Sequence, residues 1–121
     1  MKKNPTTLEQ VIEIARLAAD RNAEDVVLLD LHDISPVTDY FVIATGTSDR
    51  QICALADEIA REMKTKYNTQ VFRSAGMEQG DWVVMDFFDF VVHLFNRDMR
   101  HYYDLELIWG EAGRIDWRRA R

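Results

Sequence analysis

Two aspartates, Asp86 and Asp89, stand between two short apolar runs. Carboxylates that close together can hold Mg²⁺ for phosphoryl transfer. Upstream, Gly46-Thr47-Ser48 joins a strand-like run to a helix-like one. Backbone amides in such a turn, backed by the dipole of the next helix, favour an anion. Taken together, the two features describe a metal-dependent nucleotidyltransferase. A plainer account fits the same residues: Ser48 caps a helix, Gly46 supplies backbone freedom, and both aspartates bond amides in a turn. Neither the P-loop pattern nor GxGxxG occurs. The run after the turn helix, Gln70 to Arg73, carries no acid.

Other chemistry finds little support. Ser35 and Ser48 are outside any GxSxG elbow. Cys53 is the one cysteine, expected to pack beside Ile52, and no internal disulfide is possible. His32, His93 and His101 lack metal-ligand spacing. His93 alternates with Val92 and Leu94, as a structural strand histidine does. No catalytic residue, cofactor or metal ion is assigned, and the chain reads as a non-enzyme.

The densest unusual feature is rings among acids. Trp82, Phe87, Phe88, Phe90, Phe95, Tyr102, Tyr103 and Trp109 are 8 of the 13 aromatic residues. A two-residue alternation puts Trp82, Val84 and Asp86 on one strand face, so Trp82 shares a partly polar side. Tyr102, Glu106 and Trp109 recur at helical spacing, as do Met99 and Tyr103. Exposed rings rimmed by acids suit protein docking: the rings anchor and the acids steer a basic partner. A core with a solvated acidic rim accounts for the same pattern. Under the docking reading, Trp82 and Tyr102 are the anchors, with Tyr103 as the alternate. Asp86, Asp89, Asp104 and Glu106 pair with basic groups.

These residues need positioning elements. Thr6 or Thr7 is expected to cap a first helix carrying Leu8, Val11, Ile12, Ala15, Ala18 and Ala19 on one stripe, ended at Asn22. Val26 to Leu31 and Tyr40 to Ala44 read as buried strands. Ser48 with Gln51 opens a second helix on Ile52, Leu55, Ala56, Ile59 and Met63. Gln70–Arg73 is a short strand, Trp82–Asp86 and Phe90–Phe95 form a hairpin, and Asp98–Trp109 reads as a last helix. The order predicts a single α/β domain over residues 1–112, with a mixed sheet of about five strands and helices on its faces. Residues 113–121 are expected to be a basic, partly mobile tail.

Composition agrees. The chain has 121 residues, 47% hydrophobic and 30% charged, with net charge −6. That length buries roughly two-thirds of its unfolded surface without metal or disulfide staples. No apolar run approaches the roughly 18 residues of a membrane span, and no secretory h-region follows Met1. A reducing cytoplasm is the expected compartment. The negative charge disfavours broad nucleic-acid binding. Charge is uneven, however: residues 112–121 carry Arg114, Arg118, Arg119 and Arg121 against Asp116, while 78–111 carry eight acids against Arg97 and Arg100.

The chain resembles the ribosomal silencing factor family, also called RsfS or Iojap-like. The residues that carry this are Asp39 to Ser48, Gly80 to Asp86, Asp89 with Val91-Val92-His93, and Arg100 to Glu106 followed by Trp109. They span about residues 6 to 112. The resemblance implies a nucleotidyltransferase-like fold without catalysis. It further implies a translation repressor that binds the large ribosomal subunit through its fourteenth large-subunit protein. There it blocks association with the small subunit when nutrients are short. Free members of the family are often homodimers. One departure stands out: the family usually has Gly immediately before the aspartate at position 89, and this chain has Phe88.

Overall fold

A computed structural model describes residues 5–103, 110 and 112–118. The element order is α1 (Pro5–Asp20), β1 (Glu24–Asp30), β2 (Tyr40–Thr45), α2 (Asp49–Tyr67), β3 (Arg73–Ala75), β4 (Trp82–Asp86), β5 (Phe90–Phe95), α3 (Arg97–Tyr103) and β6 (Gly113–Arg114). The strands form one mixed sheet in the order β3-β4-β5-β2-β1-β6. β2 and β5 pair in parallel at its centre and every other neighbour is antiparallel. A parallel pair needs a long crossover, and α2, β3 and β4 supply it.

Both long helices lie on one side of the sheet. α1 buries Val11, Ile14, Ala15 and Ala18; α2 buries Ile52, Leu55, Ala56, Ile59 and Met63. Those spacings put each set on one helical stripe. They pack on Leu28, Val42, Ala44, Val83, Met85, Val92 and Leu94 to make the main core. Each large side chain so buried is worth about 1.5–3 kcal/mol. The alternate residues of the same strands face the other way. There Leu29, Leu31, Ile43 and Phe95 form a smaller core, with Val27, Ile34, Phe41, Trp82, Met99 and Ala112 packed against it.

The termini of α2 follow the expected chemistry. The Gln51 amide donates to Ser48 Oγ at 3.0 Å, and Asn68 closes the helix at φ 55°. Asn22 likewise turns left-handed after α1, at φ 70°.

Four expectations are corrected. α1 begins at Pro5, ahead of Thr6 and Thr7, because proline needs no amide partner in a first turn. The short third strand is Arg73–Ala75, not Gln70–Arg73. Among the described residues the sheet has six strands, where about five were expected. The sixth comes from the segment expected to be a mobile tail: Gly113 and Arg114 pair with Asp30 and Leu29. Beyond them, Trp117 is 6% exposed and its indole N–H donates to the Val26 carbonyl at 3.1 Å. The last helix is described over Arg97–Tyr103; residues 104–109 lie outside the described residues.

Candidate docking face

The side of the sheet away from α1 and α2 carries the sequence-predicted site. Register places Trp82 beside Phe95, Val84 beside His93, and Asp86 beside Val91. It places Phe41 beside Val91 and Ile43 beside His93. Phe41, Trp82, Val84, Asp86 and Val91 are half-buried. They form a ring-rich patch continuous with the smaller core. Trp82 stacks on Phe95 with ring centroids 5.0 Å apart, and Phe41 meets His93 edge-on at 4.6 Å.

His93 underpins this patch. It is 7% exposed, and burial pushes its imidazole down to a pKa of about 4. Its ring is therefore neutral at pH 7. Nδ1 accepts the Trp82 indole N–H at 3.3 Å, so the ring proton sits on Nε2. Nε2 has no hydrogen-bond partner among the described residues.

The hairpin end is acidic and aromatic together. Asp86 Oδ1 accepts the Phe88 amide at 2.8 Å, and the Phe87 amide returns to the Phe90 carbonyl at 2.9 Å. Asp89 is exposed, and its carbonyl accepts the Asp39 amide at 2.8 Å. Phe88, at φ 76°, is 60% exposed and Phe72 is 53% exposed. Their ring centroids are 4.0 Å apart. Phe41 and Phe72 were not singled out by sequence. Phe41 lies in a continuous apolar run that does not mark its face, and Phe72 in a segment too short for alternation to show.

Of the seven expected contact residues, Trp82 and Asp86 share one face of β4 at its two ends, and Asp89 lies in the turn beyond Asp86. Tyr102 and Tyr103 occupy the last turn of α3. Asp104 and Glu106 lie outside the described residues.

The nucleotidyltransferase combination does not assemble. Gly46 follows Thr45, which pairs with Phe95; Asp86 and Asp89 lie at the opposite end, where Tyr40 pairs with Phe90. A six-residue strand separates the two by roughly 17 Å. Two of the turn's amides are also taken. Gly46 donates to the Phe95 carbonyl at 2.7 Å and Thr47 to Gln51 Oε1 at 2.5 Å. A Cβ on Gly46 would lie 2.3 Å from Ile52 Cγ1, so glycine serves packing there. No cluster of three or more His, Cys, Asp or Glu side chains suited to a metal ion occurs among the described residues. No described helix is long and apolar enough to cross a membrane.

Together these elements define a small α/β domain with a mixed sheet, its two long helices on one side and a ring-rich face on the other. Residues 4–121 match the family described as ribosomal silencing factor during starvation. The chain belongs to that ribosomal silencing factor family. It is 41% identical over 109 residues to Ribosomal silencing factor RsfS of Bacillus subtilis, covering 89% of this chain and 92% of that one. It is 30% identical over 99 residues to mouse mitochondrial assembly of ribosomal large subunit protein 1, covering 79% of this chain and 43% of that one. A crystal structure of a Chromobacterium violaceum protein superposes with a TM-score of 0.78 at 32% identity, covering 84% of this chain and 85% of that one.

Proposed function

We propose that this chain is a non-enzymatic silencing factor that docks on the large ribosomal subunit through the sheet face bearing Trp82. The observation that carries the reading is the joining of half-buried rings to an acidic rim on a face that neither long helix covers. Trp82, with Tyr102 and Tyr103, anchors the contact. Asp86, Asp89, Asp104 and Glu106 pair with lysine or arginine on a basic ribosomal protein, the fourteenth of the large subunit. Occupying that position excludes the small subunit and represses translation when nutrients are short. No bond is made or broken. The free chain is a homodimer and works in the cytoplasm. The mouse relative's name, which refers to assembly of a ribosomal large subunit, supports a large-subunit partner.

The test is subunit joining. Purified large subunits are incubated with the protein, mixed with small subunits and sedimented. The proposal expects free subunits to accumulate and the protein to travel with the large one. Complete joining with saturating protein present contradicts it.

A further inference from the structure

A second site lies at the β1–β6 edge of the sheet, where cations gather on a protein of net charge −6. Arg100, His101, Arg114 and Arg118 line an open cleft of about 460 Å³ beside β1. Among the described residues, Asp25 supplies the one carboxylate of its lining. The nearby Glu24 carboxylate is held by Arg97 at 2.8 Å.

Two of the guanidiniums are held in place by the fold. β1 slips register between Glu24 and Val27, and Asp25 adopts φ 50° there. Its carbonyl accepts Arg100 Nη2 at 2.9 Å, while Thr45 Oγ1 accepts Nη1 at 2.8 Å. Arg118 lies over the ring of the buried Trp117, 4.6 Å from its centroid. Arg114 sits on β6, which pairs with β1. α3 and the stretch from β6 to Arg118 thus bring their arginines to one cleft beside β1.

We propose that this cleft is a phosphate-binding site. Guanidinium forks match the oxygens of a phosphate group and bind it by charge-assisted hydrogen bonds. Ordering the side chains beforehand lowers the entropy lost on binding. A polar, open lining favours a charged group that projects from a larger body. The phosphate comes from an RNA backbone or from a soluble polyphosphate compound, and the chemistry of capture is the same. The net negative charge of the chain confines binding to this cleft instead of spreading it along the surface. The site stands on the cleft alone and does not depend on the docking reading.

The experiment follows the arginine Nε–H signals of the full chain by NMR at low ionic strength. Inorganic pyrophosphate and a short RNA hairpin are titrated separately. The Arg100, Arg114 and Arg118 signals are expected to shift saturably with at least one probe. Affinity should fall about tenfold or more in a paired Arg114→Glu, Arg118→Glu variant, the scale of lost charge-assisted contacts. A Lys64→Glu, Arg73→Glu pair makes the same charge change elsewhere. Tighter binding of the hairpin assigns the RNA source, and tighter or equal binding of pyrophosphate assigns the soluble one. Thermal melts establish that both variants fold, and an Arg114→Gln, Arg118→Gln pair repeats the test if the first does not. Absence of saturable shifts with both probes overturns the proposal, and so does an equal loss in the control pair.

Discussion

The Trp82 indole N–H donates to His93 Nδ1 at 3.3 Å, diagonally across the β4–β5 pair. One bond thereby links the half-buried ring of the candidate docking face to a histidine in the sheet interior. It requires a neutral imidazole with its proton on Nε2. Protonating Nδ1 would abolish the acceptor and place a charge where burial disfavours it.

Stability should therefore fall on mild acidification. The unfolded histidine protonates near 6.5 and the native one only near 4, because burial lowers it. Between those values the unfolded state binds more protons, so stability drops as pH falls from 6.5 towards 4. The full effect is about 3 kcal/mol. Glu24 and Glu58, held below the usual carboxylate range by bonds to Arg97 and Arg21, lose their contributions only further down. Urea melts at pH 7 and 5 should show the loss in the wild-type chain and a much smaller one in His93→Gln. An identical loss in that variant would assign it elsewhere.

Phe88 and Asp86 should be energetically coupled. Phe88 holds φ 76°, a conformation costing a non-glycine residue about 1–2 kcal/mol. Asp86 accepts its amide, and the ring contact with Phe72 offsets part of the cost. Asp86→Ala should destabilise by about 1 kcal/mol. The loss should shrink by about 0.5 kcal/mol or more in a Phe88→Gly background, where no strain needs holding. Strict additivity in the double-mutant cycle would contradict this account of the turn.

Gly76 should resist substitution while Gly113 should not. A Cβ on Gly76 would lie 2.0 Å from the Trp82 carbonyl oxygen, at φ 90°; one on Gly113 would meet nothing within 4 Å. Gly76→Ala is expected to cost about 2 kcal/mol or more, and Gly113→Ala less than about 0.5 kcal/mol. Chemical melts of the two variants compare them directly, and equal values would refute the close approach of the loop to β4.

Trp117 should matter to folding. It is buried and bonded to the Val26 carbonyl, so Trp117→Ala should cost about 3–5 kcal/mol. A melting temperature unchanged from wild type would mean that the segment does not pack on β1.

α2 was legible because Ile52 to Met63 repeat at helical spacing and Ser48 marks its start. Trp82 and Asp86 were assigned to one strand face by alternation alone, and register bears that out. β6 was not legible: Gly113 and Arg114 offer no apolar alternation, and their pairing with Leu29 depends on contacts far away in sequence. The arginine cleft was hidden for the same reason. Arg100 and Arg114 counted towards opposite charge balances in sequence, and only folding brings them together. Phe88 stood out as a departure from the pattern the resemblance implies, but its left-handed backbone was visible only in three dimensions.

The claim that the Trp82-bearing face is the docking surface is tested most directly by equilibrium binding to purified large subunits. Trp82→Ala removes the anchor, and Val84→Glu places a charge in the same patch. Arg61→Ala, on the exposed side of α2, leaves the face untouched. With folding verified by melts, the first two should weaken binding by about 2 kcal/mol or more, roughly thirtyfold, and the third should match wild type. Wild-type affinity in both folded face variants would contradict the account.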